Sequence, residues 1–291
     1  MILHFEEGRM GNQLFQYMGL KKYFPNEKII FFGCDSLREC FENLDGYFLS
    51  LKAIKKKISF GILYYIVKFL KNIYIFGVIE EDKYSSSKNY KIFVRRGIIW
   101  WIFVTHKIHF QHKEFLNKIQ NPPSLKKNLK KQSINWLKKK GINLKKDRIV
   151  FVHIRRGDYL RWPSLAISGT KNYPAVLDLK WYQRAMNLIK KKINNPKFII
   201  MSDDQYYVKD FFKESDKILI SLNEPEIDLS IMSFCSSGIM SASSFAWWGA
   251  YYAKILSSKK KIFIAPKYWG GYRYKKWWPK NFQTRWITYY E

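Results

Sequence analysis

Val150-Phe151-Val152-His153-Ile154-Arg155-Arg156-Gly157-Asp158-Tyr159 is the stretch that decides the fold. It opens as an unbroken apolar run, the pattern of a strand buried on both faces of a parallel sheet. It closes on two arginines, a glycine and an aspartate. Arginine presents a planar, permanently charged fork that matches phosphate oxygens. In α/β sheets, ligands bind beyond the carboxyl ends of the strands, which is where this pair falls. The same residues equally suit a structural Arg–Asp pair closing a strand-to-loop turn, so the neighbouring segments have to decide.

They repeat the pattern. Lys197 to Ser202 is a second apolar strand, closed by Asp203-Asp204. Lys217 to Ser221 and Gly238 to Ala242 are further short strands, the latter followed by Ser243-Ser244-Phe245, and Lys261 to Ala265 is the last. Helical segments lie between them: Asp178 to Ile193, with Leu179, Tyr182, Met186 and Ile189 on one stripe, then Gln205 to Phe212, Glu226 to Cys235 and Ser243 to Leu256. Strands alternating with helices mean parallel βαβ units. Tyr159 to Val176 is a long loop, a length that compact domains mostly reserve for function.

The first half starts the same way. Ile2 to Phe5 is a strand, Gly8-Arg9-Met10-Gly11 a loop, and Leu14 opens a helix reaching about Phe24. The loop can bring backbone N–H groups and Arg9 near an anion, although it lacks full Gly-x-Gly-x-x-Gly spacing. Lys28 to Gly33 is the next strand, and Asp35 to Gln120 is harder to read. Asn121-Pro122-Pro123-Ser124 breaks the chain, and Ser124 is placed as the cap of a polar helix ending at Gly141. The boundary is set near there, giving domains 1–145 and 146–291.

The chain's 291 residues suffice for two such domains. A hydrophobic fraction of 47%, with 18% aromatic residues, excludes disorder over most of the length. The net charge of +29 fits nucleic acid, an anionic membrane surface, a phosphorylated substrate, or simply solvated lysine-rich faces. The lysines are dispersed and no nucleic-acid motif is visible, so nucleic acid is not expected. Cys34, Cys40 and Cys235 are odd in number and form no C-x-x-C pair, which points to a reducing compartment. No secretory leader is read at Met1. Ile58 to Ile79 is apolar but holds Lys68 and Lys71, each costing about 2.5–3.5 kcal/mol at a bilayer centre. A buried or interfacial amphipathic helix is therefore expected there, in a cytoplasmic protein with peripheral contact to the inner face of the plasma membrane left open. His106, His109 and His112 recur at spacing three, but no carboxylate or cysteine nearby completes a tetrahedral set, so no zinc is expected.

Three groups thus fall at strand-to-helix junctions: His153/Arg155/Arg156/Asp158, Ser202/Asp203/Asp204 and Ser243/Ser244/Phe245. The serines suit an anion site at a helix N-terminus, or plain N-capping. The aspartates suit a divalent cation, a ribose or base, or a helix cap. Trp247-Trp248 suits a sugar platform, with at least one of the two expected in the core.

As a set these segments resemble glycosyltransferase family 11, the α-1,2-fucosyltransferases, and more distantly the α-1,6- and protein O-fucosyltransferases. The resemblance is carried by Gly8-Arg9-Met10-Gly11-Asn12-Gln13-Leu14-Phe15-Gln16-Tyr17, His153 to Tyr159, Ser202-Asp203-Asp204, Asp228 to Cys235 and Ser243 to Ala250. His109-Phe110-Gln111 is a fainter match. The resemblance implies a GT-B type α/β fold, two Rossmann-like domains facing across a cleft. It implies GDP-fucose as donor, a galactose-terminated glycan or lipid-linked oligosaccharide as acceptor, inversion at C1, and no cofactor or metal. Carried over, Arg155 and Arg156 hold the diphosphate, with His153 beside them. Asp203, Asp204 and Asp228 contact or shape the guanosine site, and Ser243, Ser244 and Phe245 line the diphosphate. Arg9, Gly11 and Asn12 take the acceptor or reacting-centre side, and Asn12 is counted with Arg155, Arg156 and Asp158 as catalytic. Asp158 is either the general base or a partner of the arginines. Ala242 departs from the family's Asn, and Ala246 from its Ser.

Overall fold

The computed structural model describes residues 1–50, 57–82, 90–160, 175–256 and 261–291. The chain divides into two compact units, Met1–Ser124 and Leu125–Glu291.

The first unit has a six-stranded sheet. In chain order its elements are β1 (Ile2–Phe5), α1 (Met10–Tyr23), β2 (Ile29–Phe32), α2 (Asp35–Cys40), β3 (Phe41–Glu42), β4 (Tyr47–Leu49), α3 (Lys57–Asn72), β5 (Phe76–Glu81), β6 (Ile92–Arg95), β7 (Ile99–His106) and α4 (Lys113–Asn117). The sheet order is β4-β2-β1-β7-β5-β6, parallel except for the edge strand β6. Leu63 and Val67 of α3 pack on Leu3, Phe32 and Val104, which holds the helix against the sheet. The apolar stretch Ile58 to Ile79 therefore splits into a helix and a strand. Among the described residues no helix is long and apolar enough to cross a membrane. The three histidines do not share a helix face: His106 ends β7, His112 is the N-cap position of α4, and His109 lies between. No group of three or more His, Cys, Asp or Glu among the described residues is placed to hold a metal ion.

The second unit follows with β8 (Ser124–Leu125) at its border, α5 (Lys127–Lys139), β9 (Arg148–Ile154), a 3-10 turn (Gly157–Leu160), α6 (Leu179–Lys192), β10 (Pro196–Ser202), α7 (Gln205–Phe211), β11 (Ile218–Ile220), α8 (Pro225–Phe234), β12 (Ser237–Met240), α9 (Ser244–Ile255), β13 (Ile262–Pro266) and β14 (Thr288–Tyr290). The division at Ser124 precedes the expected boundary near residue 145 because α5 belongs to this unit. Leu129, Ser133 and Leu137 form its buried stripe, and the Ser133 hydroxyl donates to the Ile227 carbonyl of α8 at 3.3 Å. The lysines occupy its outer face.

The sheet order is β11-β10-β9-β12-β13-β14, and all the pairings are parallel. Counted from β9, this is the 3-2-1-4-5-6 order of dinucleotide-binding sheets. The chain runs outward on one side of β9, then returns to start again at β12. From Ile149 to Ile154 the strand β9 is buried throughout, as the apolar run requires. Val150, Val152 and Ile154 pack against Trp181, Ala185 and Ile189 of α6. Each fully buried side chain of this kind stabilises the fold by about 1.5–3 kcal/mol. On α9 both Trp247 and Trp248 are buried, Trp247 stacking on Tyr251 at 5.3 Å, so neither is an exposed sugar platform. The loop expected from Tyr159 to Val176 falls largely outside the described residues.

Candidate active site

The switch point of the second unit lies between the carboxyl ends of β9 and β12, and the sequence places its chemistry there. His153, one residue before the end of β9, is buried, and its Nδ1 lies 2.8 Å from the Ser241 Oγ just beyond β12. The ring also leans on Phe245, centroids 5.5 Å apart. Burial and the Arg155 charge push its pKa down to about 3, so the imidazole is neutral at ordinary pH. It ties the two strands together at the switch point. Tyr159 adds a second tie, its hydroxyl donating to the Ala242 carbonyl at 2.6 Å.

The two arginines leave β9 already engaged by carboxylates. Arg155 grips Asp203 through Nη1 at 2.8 Å and Asp158 through Nη2 at 2.5 Å. Arg156 donates its backbone N–H to Asp203 Oδ1 at 2.9 Å and its Nε to Asp204 Oδ2 at 3.0 Å. Its guanidinium carbon lies 3.3 Å from the ring centroid of Tyr207. Asp204 also caps α7, Oδ1 accepting the Tyr207 N–H at 3.2 Å, and its own N–H is held by Ser202 Oγ at 3.0 Å. Two adjacent, largely buried cations are costly to desolvate without partners, and three carboxylates answer that cost. The outcome differs for the two. Both terminal nitrogens of Arg155 are taken. Arg156 is anchored by its Nε edge and its face, and neither terminal nitrogen has a partner among the described residues. That is a preorganised fork.

Gly157 is required by this packing. A Cβ there would stand 2.3 Å from Asp203 Oδ2, displacing the carboxylate that holds both arginines.

The neighbouring strand end supplies N–H groups. Ser243 is the N-cap of α9 but makes no side-chain cap bond, so the first-turn N–H groups are not satisfied from the cap. Ser243 itself is buried, while Ser244 and Phe245 are partly exposed. Asp228 lies apart, on α8 beyond the β11 end. It is buried, accepts the Ser221 hydroxyl at 2.5 Å, and burial raises its pKa to about 7.

In the first unit the corresponding loop follows β1. Gly8 has φ +79°, and a Cβ there would meet Asn12 Nδ2 at 2.6 Å. Asn12 Oδ1 accepts Gln111 Nε2 at 2.9 Å, Gln13 Nε2 reaches the Gly8 carbonyl at 3.1 Å, and Ser36 Oγ donates to Gln13 Oε1 at 2.7 Å. The Gly-Asn-Gln motif is thus a set of amide ties that fixes the loop. Gly11 is buried at the start of α1, and Arg9 is exposed.

The structure therefore gathers His153, Arg155, Arg156, Asp158, Asp203 and Asp204 with Ser243, Ser244 and Phe245 around one switch point, and leaves Asp228 bonded elsewhere. Sequence reasoning missed Tyr207 and Ser241. Tyr207 stands three residues after the cap Asp204, a spacing that puts its N–H on the cap. Ser241 directly precedes Ala242 and had no pattern to mark it.

Arginines and a helix N-terminus at the switch point of a parallel sheet are the arrangement with which α/β folds meet phosphate-bearing ligands. Solved glycosyltransferases share the GT-B type fold. POFUT1 in complex with GDP superposes with a TM-score of 0.53 at 11% identity, covering 90% of this chain and 97% of that one. A glycosyl transferase family 9 protein from Veillonella parvula DSM 2008 superposes with a TM-score of 0.51 at 9% identity, covering 95% and 84%. The glycosyl transferase family 11 model matches residues 76–290, and the chain belongs to that family. An α-1,2-colitosyltransferase of Escherichia coli is 27% identical over 288 residues, 90% of each chain.

Proposed function

We propose that this protein transfers L-fucose from GDP-fucose to the 2-hydroxyl of a terminal galactose, on a surface glycan or a lipid-linked oligosaccharide, with inversion at C1 and without a metal. The observation that carries the reading is Arg156, fixed on Asp204 and Tyr207 with no partner for its terminal nitrogens among the described residues, beside the uncapped N-terminus of α9. As the bond from C1 to the diphosphate breaks, negative charge collects on the departing GDP and the sugar becomes cationic. Donors fixed where that charge develops stabilise the transition state more than the ground state. Arg156 is assigned as the diphosphate fork. Arg155, Asp203 and Asp204 position it, and Asp158, bound to Arg155, belongs to the same positioning set. Ser243, Ser244 and Phe245 line the diphosphate, and Asp228 shapes the guanosine end. In the first unit Arg9, Gly11 and Asn12 are assigned to the acceptor.

A second donor is favoured by the α-1,2-colitosyltransferase relative: a colitosyl rather than a fucosyl group. The test is turnover of GDP-fucose and GDP-colitose with a β-galactoside in EDTA. GDP release with GDP-fucose supports the main reading, and release with GDP-colitose alone transfers the assignment to the second. Activity abolished by EDTA and restored by manganese overturns the arginine-based account.

A further inference from the structure

One face of the first unit is unlike the rest of the surface. In the ladder between β5 and β7, Phe76 pairs with Ile99 and the next residue, Gly77, pairs with Phe103. Trp100, Trp101 and Ile102 are extra residues on one strand only, a bulge of the kind that re-aims side chains. It turns both tryptophans to solvent, 61% and 52% exposed, beside Ile98 at 77%. The Ile98 and Ile99 N–H groups bond to the Tyr74 and Ile75 carbonyls at 2.9 and 2.8 Å, tying the bulge to the chain just after α3. Leu63 and Val67 of α3 are spent on the core, and the outward side chains Tyr65 and Phe69 are exposed as well.

The charge around this face is mostly positive: the N-terminal ammonium donates to the Trp101 carbonyl at 2.8 Å and is itself paired with Glu27 at 2.6 Å, which leaves that pair neutral. Residues 57–79 and 91–113 contain no aspartate or glutamate. Lys68, Arg95 and Arg96 are present there, and Arg95 lies 4.4 Å from the Tyr74 ring. The acidic trio Glu80, Glu81 and Asp82 comes only at the far end of β5.

We propose that this face docks on an anionic lipid bilayer, with Trp100 and Trp101 entering the headgroup region, the outer face of α3 lying in the interface, and Arg95 and Arg96 meeting lipid phosphates. Tryptophan and tyrosine favour the membrane interface, and an apolar helix face flanked by cations lies in its plane. With Glu27 spoken for by the N-terminal ammonium, Lys68, Arg95 and Arg96 leave the face net positive, so it repels a second copy of itself, whereas an anionic bilayer matches both its charge and its apolarity. The inference holds whichever sugar is transferred.

The test is sedimentation of the full chain with vesicles of phosphatidylcholine alone and vesicles with an equal part of phosphatidylglycerol, the circular dichroism of each variant confirming its fold. Binding is expected to the anionic vesicles only, weakening as salt rises. Removing Arg95 and Arg96 together as Gln lowers the affinity by about fivefold per cation. Replacing Trp100 and Trp101 with Ser lowers it further and leaves the fold intact, since both are exposed. Lys191→Gln with Lys192→Gln removes equal charge from α6 and is expected to leave binding nearly unchanged. Absence of binding to anionic vesicles overturns the proposal. So does an equal loss in the lysine control, which would mean diffuse attraction of the +29 charge, and so does self-association through the tryptophans in place of vesicle binding.

Discussion

Arg156→Lys keeps the charge and removes the fork. In the protein as it stands Nε is held by Asp204 at 3.0 Å and the guanidinium plane by Tyr207 at 3.3 Å, so the terminal pair of nitrogens projects without further ordering. A lysine ammonium is a single point. It can satisfy Asp204 or reach a diphosphate, but it cannot do both, and it has no plane to lay on Tyr207. Losing one preorganised donor of developing charge costs roughly 10²–10³ in turnover, about 2.7–4 kcal/mol of transition-state stabilisation. The stability cost is smaller. The lost stack contributes about 0.5–1 kcal/mol at a partly exposed site, and Asp204 retains the Tyr207 N–H. The expected result is a folded protein, with an unfolding midpoint close to that of the parent and turnover of GDP-fucose reduced by two to three orders of magnitude. The assay is GDP release at saturating donor, beside a thermal melt. Near-parental turnover in a folded Arg156→Lys protein refutes the fork. A collapse of the melt together with activity shows instead that Arg156 is a structural partner of Asp204.

Gly157→Ala puts a methyl group 2.3 Å from Asp203 Oδ2 and should loosen the carboxylate from Arg155 and the Arg156 N–H; calorimetric GDP affinity is expected to fall about 10–100-fold, the effect of one lost charge-assisted hydrogen bond, and unchanged affinity would contradict it. His153, with its pKa lowered to about 3, stays neutral when folded while the unfolded chain takes up a proton below 6.5; its stability is present above that pH and lost as the pH falls, at about 1.4 kcal/mol per unit. Denaturant titrations at pH 7 and 5 should show a smaller loss in His153→Gln than in the parent, and an equal loss would remove the burial argument. Asp228 runs the other way: with its pKa raised to about 7, its stability is present below about 3.8 and is lost as the pH rises toward 7, so Asp228→Asn should flatten that arm of the curve.

The second unit was legible because its strands are buried on both faces. Such strands read as plain apolar runs, and the polar groups that follow them mark the carboxyl ends. Five of the six strands were read in this way; the short edge strand Thr288–Tyr290 was not, and the order of the strands rests on pairings that no local pattern carries. The first unit was harder because its α3 and β5 share one apolar stretch, parted only by a short turn after Asn72, and because β6 turns antiparallel at the edge. The helix Lys127–Lys139 carries a strongly polar sequence that hides which unit its Leu129, Ser133 and Leu137 stripe serves. At the site the residue types were visible but their pairing was not. Arg155 and Arg156 are neighbours in sequence, yet one is saturated by Asp158 and Asp203, while the other lies on Tyr207 and its terminal nitrogens have no partner among the described residues. A contact between positions 51 residues apart leaves no local trace. The bulge at Trp100-Trp101 is hidden for the same reason: it exists only in the register of β7 against β5.

The proposed function requires that an anchored arginine fork let this chain form an α-1,2-fucoside from GDP-fucose. The most direct measurement is NMR of the product made from GDP-fucose and a galactose-terminated acceptor in the presence of EDTA. An α-linked fucose on the 2-hydroxyl of the galactose is expected. A β-linked fucose, a different linkage position, or no glycoside at all would contradict it.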